Sequence, residues 1–263
     1  MNETDTHFLG KLLRSTGLGN SGELARSHDI PGAKQEDGSF LVGQNLYRIK
    51  GEFLKDFVLE HFLTPKPCRW GGTVPFPKRK VYDVSCGGRH MLVAAASDTN
   101  APPCLYAVGL NSEGQLGLGD TRERYVLTKV DGLNNVTHVA AGGYHSLVVT
   151  EAGTTLYACG RTEDGALGIG FSPKKFIDTF QPVAFPKVVV LANVFAGDIH
   201  SMALTTEDEM YSWGSAMSKA QGHFQDATGQ EDGDIMRPVQ LPGKYVAAQG
   251  SSHGSVFLRY KTA

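Results

Sequence analysis

Val139-Ala-Ala-Gly-Gly-Tyr-His-Ser146 decides how this chain is read, because versions of it return at a fixed interval. Val84-Ser-Cys-Gly-Gly-Arg-His90 precedes it. Val194-Phe-Ala-Gly-Asp-Ile-His200 and Val246-Ala-Ala-Gln-Gly-Ser-Ser-His253 follow. Histidines 90, 145, 200 and 253 are thus spaced by 55, 55 and 53 residues. A period of this length marks a repeat architecture, in which one supersecondary unit is stacked on the next.

Working outward, a second motif recurs in phase with the first. Leu105-Tyr-Ala-Val-Gly109 leads to Asn111-Ser-Glu-Gly-Gln-Leu-Gly-Leu-Gly119, and Leu156-Tyr-Ala-Cys-Gly160 leads to Asp164-Gly-Ala-Leu-Gly168. Met210-Tyr-Ser-Trp-Gly214 begins the same way but runs into a long insert, 215–235, with no glycine five residues on. Val81-Tyr-Asp-Val84, Met91-Leu-Val-Ala94, Leu105–Gly109 and Leu127-Thr-Lys-Val130 are short apolar or alternating runs separated by glycine turns. They predict four antiparallel strands per unit, which is the composition of a propeller blade.

The N-terminal third is in step but degenerate. Gly17-x4-Gly22-x-Leu24 has the later spacing, whereas 40–80 has lost both motifs. Within it Phe53, Leu54, Phe57, Val58 and Phe62 fit either strands or a gap-filling helix over 52–63. The two ends are complementary: Val246 to Leu258 holds the histidine half of a unit and Phe8 to Leu24 the glycine half. Pairing 8–31 with 244–260 would complete a shared blade and remove open sheet edges. The expectation is one all-β propeller domain of about five blades. They are that shared blade, a degenerate one at 40–80, and clear ones at 81–135, 136–190 and 191–243.

Composition narrows the function. The chain has 263 residues, 41% hydrophobic and 20% charged, enough for one large domain with a buried core. Its net charge of −2 gives no bulk attraction to nucleic acid or anionic membrane, which argues against both as partners. No apolar run approaches the ~20 residues that span a bilayer. The start, Met1-Asn-Glu-Thr-Asp-Thr, lacks the features of a signal or transit peptide. Cys68, Cys86, Cys104 and Cys159 are dispersed with no CxxC, so they read as reduced thiols of a cytoplasmic protein, with the nucleus as alternative.

The unit Val-x2-Val-x2-Gly-x2-His-Ser, followed by Tyr106-Ala-Val-Gly-Leu-Asn-Ser-Glu-Gly-Gln-Leu-Gly-Leu-Gly119, resembles the regulator of chromosome condensation (RCC1-like) repeat. The resemblance is firm over 81–260 and weaker over 8–71. It implies a β-propeller that serves as an interaction platform. Some members exchange nucleotide on small GTPases and bind chromatin; others are scaffolds, ubiquitin-ligase adaptors or inhibitors. The family's ring ordinarily has seven blades, against about five here.

His90, His145, His200 and His253 occupy one blade position, so rotation about the axis keeps them apart. Each is read as bonding the backbone of its own or a neighbouring blade, since an unpaired buried polar group costs about 1–3 kcal/mol. Tyr106, Tyr157, Tyr211, Trp70 and Trp213 precede the repeat glycines Gly71, Gly109, Gly160 and Gly214 and should fill the wedge between blades. Gly114-Gln-Leu-Gly-Leu-Gly119 lacks the βαβ context of a dinucleotide fingerprint. Phosphate-loop, HExxH and Gly-x-Ser-x-Gly patterns are absent. Lys78-Arg79-Lys80 reads as a charged loop.

No catalytic, metal or cofactor site is expected, and the chain is read as a non-enzyme. Binding should fall where the repeats differ: Phe171, Lys174, Lys175 and Phe176 in one insert, His223 and Phe224 in the other. The function expected is a protein-binding scaffold or subunit of a larger assembly, which could be cytoskeletal. The alternative is a small-GTPase exchange factor or regulator, and the third a chromatin-associated protein.

Overall fold

A computed structural model describes residues 14–15, 66–67, 80–96, 101–215, 235–251 and 254–259. The helix-or-strand question at 52–63, the degenerate blade before Lys80 apart from Lys66–Pro67, Trp70, His223, Phe224 and His253 lie outside them. The described residues are all-β apart from one short 3-10 turn at Glu151–Gly153. None of their helices is long and apolar enough to cross a membrane.

Two short strands come first, β1 (Arg14–Ser15) and β2 (Lys66–Pro67), and they pair with each other. Three four-stranded antiparallel meanders follow. The first is β3 (Lys80–Cys86), β4 (His90–Ala96), β5 (Cys104–Gly109) and β6 (Arg124–Asn134). The second is β7 (His138–Ala141), β8 (His145–Thr150), β9 (Thr155–Arg161) and β10 (Phe176–Pro182). The third is β11 (Leu191–Ala196), β12 (His200–Thr205), β13 (Met210–Gly214) and β14 (Ile235–Gln240). β15 (Tyr245–Gly250) and β16 (Ser255–Arg259) close the described chain as a two-stranded sheet.

These sheets are the blades of a β-propeller. The first strands β3, β7, β11 and β15 contact one another in sequence, which puts them innermost. The second strands β4, β8 and β12 are buried along their whole length, and β8 and β12 each lie between two described neighbouring sheets. That is why Met91-Leu-Val-Ala-Ala-Ala96 is continuously apolar and does not alternate. One core joins the first two blades through Leu92, Leu105, Leu116, Val139 and Val148. Another joins the second and third through Leu147, Leu156, Leu167, Tyr211 and Trp213. A third seats the C-terminal pair on the third blade through Met202, Met210, Leu241 and Tyr245.

The expected pairing of the two chain ends is not among the described ladders. Arg14–Ser15 takes Lys66–Pro67 as its partner, and β15 pairs with β16 alone. Lys80, read from sequence as part of a charged loop, is the first residue of β3, and its ammonium lies 4.5 Å from the Tyr82 ring centroid.

Candidate functional site

Because the strands of each blade alternate in direction, the glycine turns after the first strands and the loops after the third strands share one end of the propeller. The repeat glycines Gly109, Gly160 and Gly214 mark that end, with φ of +114°, +118° and +117°. A Cβ on them would also strike the carbonyl oxygens of Arg89, Tyr144 and Ile199 at 2.5, 2.3 and 2.6 Å. Both facts require glycine. The next residue's amide then bonds that same carbonyl, from Leu110, Arg161 and Ser215.

The histidines form the seams between blades. His90 Nε2 lies 2.9 Å from Ser146 Oγ, His145 Nε2 2.9 Å from Ser201 Oγ, and His200 Nε2 2.6 Å from Ser255 Oγ. Each contact crosses from one sheet to the next. Ser146 Oγ in turn donates to the Gln115 carbonyl at 2.6 Å, and Ser201 Oγ to that of Ala166 at 2.7 Å. A serine has one hydroxyl proton, so a hydroxyl already donating to a carbonyl must accept from the imidazole. The proton in His90 and His145 therefore sits on Nε2. Ser146 and Ser201 are each clamped between the histidine and the glycine-loop carbonyl of the preceding blade, which ties the two sheets at a buried point. Trp213 Nε1 donates to the same Ala166 carbonyl at 2.9 Å. Tyr211 and Trp213 are fully buried in this seam, Tyr106 is buried, and Tyr157 packs partly buried against the previous one.

Burial pushes the imidazoles of His90 and His200 down to about 4. His145 falls to about 3, through burial first and then the neighbouring His90 and His200. All three are neutral near pH 7, with Nε2 committed to a seam. Nδ1 of His90 and of His200 has no hydrogen-bond partner. In His90, where the proton sits on Nε2, this Nδ1 is a lone-pair acceptor packed against Gly87 and can be left unpaired more cheaply than a donor. Among the described residues no three His, Cys, Asp or Glu side chains gather to hold a metal ion. Cys86, Cys104 and Cys159 are free thiols, and burial pushes Cys86 and Cys159 up.

At the ends of the innermost strands the glycine turns line an open cavity of about 220 Å³, with Gly87, Gly142, Gly197, Asp198 and Gly250 in its wall. Its amides are already committed. Gly88 donates to Gly142 O, Gly143 to Asp198 O and Asp198 to Ser251 O, a chain running from blade to blade. The cavity is therefore a by-product of the seams and not a nest for an anion.

The loop after β9 is different in kind. Phe171 is 85% exposed, Lys174 and Lys175 are exposed, and Phe176 is half-buried as the first residue of β10. Phe171, Lys174 and Lys175 line one cleft of about 310 Å³ with Thr162, Glu163 and Pro173; Phe176 is not in its wall. The loop base is closed by Thr162 N–H to Lys175 O at 3.0 Å and by the Thr162 hydroxyl to Lys174 O. Beside it Arg161 binds Asp164 and stacks on the Tyr144 ring, 4.6 Å from the centroid. Sequence reasoning singled out the histidines but missed their partners Ser146, Ser201 and Ser255. The signal was the serine directly after His145 and His200.

Comparison with known proteins agrees with this geometry. Two sequence profiles described as the regulator of chromosome condensation (RCC1) repeat match residues 104–149 and 136–166. The ultraviolet-B receptor UVR8 of Arabidopsis thaliana is 30% identical over 143 residues, 54% of this chain and 31% of that protein. The X-linked retinitis pigmentosa GTPase regulator of Canis lupus familiaris is 34% identical over 134 residues, 50% of this chain and 13% of that one. Among solved structures, Prp20p from Saccharomyces cerevisiae aligns with a TM-score of 0.67 at 20% identity, covering 95% of this chain and 52% of the other. These matches span a third or less of the two sequence relatives and about half of the solved chain. The fold and its seams define a repeat protein of the propeller class. Specifically, residues 104–166 carry RCC1 repeats, and the chain is similar to RCC1-like repeat proteins.

Proposed function

We propose that this chain is a non-enzymatic propeller that binds other proteins, as a scaffold or subunit of a larger assembly in the reducing environment of the cytoplasm. One observation carries the reading. The side chains best suited to acid–base chemistry, His90, His145 and His200, are buried and spent on seams, while Phe171, Lys174 and Lys175, in a loop that differs between repeats, are exposed. Repeat positions occupied by folding leave variable loops for recognition. Native co-purification followed by mass spectrometry tests this. A stoichiometric protein partner is expected, and a lone monomer from every native source would overturn it.

Regulation of a small GTPase is the second reading. It is favoured by the relative whose name is a GTPase regulator. Such regulation needs a stiff loop pressed on a partner and no catalytic motif, and the 162–175 loop is closed at its base as required. Accelerated nucleotide release across a panel of small GTPases would support this reading, and no acceleration on any of them would end it.

A further inference from the structure

We propose that the cleft of the 162–175 loop docks an acidic peptide segment of a partner protein, one that carries an apolar side chain between carboxylates. The proposal rests on the protein-binding reading above and gives that reading a site and a partner chemistry.

The apolar half of the argument is Phe171. A phenylalanine 85% exposed forgoes most of the ~1.5–3 kcal/mol that burial of its side chain supplies. It stands at the wall of a cleft of about 310 Å³, at the lower end of the range for ligand pockets. The loop needs little ordering on binding. Thr162 locks both Lys174 and Lys175 through their carbonyls, Ser172 Oγ accepts from the Lys174 amide at 3.2 Å, and Pro173 lies between them. Preorganisation of this kind leaves more of the contact energy as affinity.

The charged half is a local imbalance. Lys174 and Lys175 are exposed, and no carboxylate lies within ion-pair distance of either among the described residues. A third cation joins them from the next blade. A Cβ on Gly170 would come within 2.8 Å of Arg237 Nη2, so that exposed guanidinium packs against the residue before Phe171. Of the acids nearby, Asp164 is already paired with Arg161, leaving Glu163 alone in the cleft wall. Among the described residues, two cations of the cleft wall and a third beside Gly170 are therefore set against one carboxylate without an ion pair, on a chain whose net charge is −2. The corresponding loop of the first blade is self-neutralised. There Asp120 holds Arg124 at 2.8 Å and Glu123 accepts from Tyr125. An acidic partner is the complement of the second loop and not of the first.

Glu163 also decides between anions. A continuous phosphate backbone laid along this cleft would meet that carboxylate, whereas a peptide can place a neutral residue there and its acids on Lys174, Lys175 and Arg237. The test is selection of random twelve-residue peptides displayed on phage against the full chain. Selected peptides are then synthesised and titrated by fluorescence anisotropy at two salt concentrations. Expected are sequences with an apolar residue flanked by Asp or Glu. Their binding should weaken at least tenfold with Phe171→Ala, at least tenfold with Lys174→Glu plus Lys175→Glu, and further with salt. Thermal melts check that both variants are folded.

Selected peptides indifferent to both changes would overturn the site while leaving the protein-binding reading intact. Failure to select any such peptide would overturn the partner chemistry, with co-purification deciding the broader reading separately. A twenty-nucleotide single strand bound as tightly as the peptides, and lost in the lysine variant, would make this a polyanion site and overturn the proposal.

Discussion

The turn at 142–144 and the loop at 162–175 belong to the same blade and lie at the same end of it, yet they answer to opposite demands. The turn has no spare capacity. Gly142 donates to His145 O and accepts from Gly88, Gly143 donates to Asp198 O, and His145 reaches Ser201. The loop is tied at its base by Thr162 and to the next blade through Ala166 and Leu167, but its tip holds Phe171, Lys174 and Lys175 out to solvent. The contrast teaches where the repeat is free to vary. Positions that bond across a seam, the Ala166 carbonyl included, are fixed by two blades at once, whereas the exposed tip at Phe171, Lys174 and Lys175 bonds to no neighbouring blade among the described residues.

The largest effect should come from acid, which acts on every seam together. In the unfolded chain each imidazole regains its ordinary value of 6.5, while the folded values are about 4, 3 and 4 for His90, His145 and His200. Above pH 6.5 both states are neutral at these sites. Below it the unfolded chain takes up protons that the seams refuse, so stability falls as pH drops from about 6.5 toward the folded values. At about 1.4 kcal/mol per unit, each histidine should lose roughly 2 kcal/mol by pH 5, and the three together several. Denaturant melts at pH 7.5, 6, 5 and 4.5 measure it. The carboxyls held low, Asp120 beside Arg124 and Glu209 beside Lys187, add loss only at lower pH, so the upper part of the window belongs to the histidines. A flat profile between pH 6.5 and 5 would erase the distinction between seam and loop.

A single methyl group should break one seam. A Cβ on Gly142 would lie 2.1 Å from His145 Cε1 and 2.7 Å from Gly197 O, so the imidazole and the next blade's turn would both have to move. Gly142→Ala is expected to cost about 3 kcal/mol. Ser201→Ala is milder: it leaves the buried Nε2–H of His145 without an acceptor, for about 1–3 kcal/mol. If the serine change proved as harmless as a surface one, the relay would be an incidental contact.

Much of the seam could be read from residues alone. The 55-residue interval, the glycine pairs and the apolar runs gave the blades, and equivalence of position argued that the histidines are structural. What escaped was that each histidine serves the next blade's serine. That bond joins residues 55 or 56 apart, and a one-dimensional reading sees only the adjacent His-Ser pair. A clue was present in the exception. Met91 stands where later repeats carry Ser146 and Ser201, and the segment before it lacks the glycine–histidine signature that would need a serine. The 162–175 loop was legible only as a departure from the repeat. Phe171 and the two lysines could be picked out, but the closure by Thr162 depends on how the loop folds back on itself, and the approach of Arg237 on how two blades meet.

The smallest expected effect is the most pointed, because it is close to zero where residue type alone would suggest a loss. Phenylalanine is a core residue in most settings, and replacing a buried one costs several kcal/mol. At 85% exposure Phe171 has almost no burial to lose, so Phe171→Ser should shift the unfolding free energy by no more than about 0.5 kcal/mol. The neighbouring Ile177 supplies the control: it follows Phe176 in β10, pairs with Gly160 and packs against the core between the second and third blades. Ile177→Ala should cost clearly more, by about 1–2 kcal/mol for a half-buried side chain. Matched denaturant curves of the two variants place the boundary between folding and recognition within six residues of one strand entry. A destabilised Phe171→Ser would show that the loop is part of the blade's own packing, and its exposed ring would then need a structural explanation.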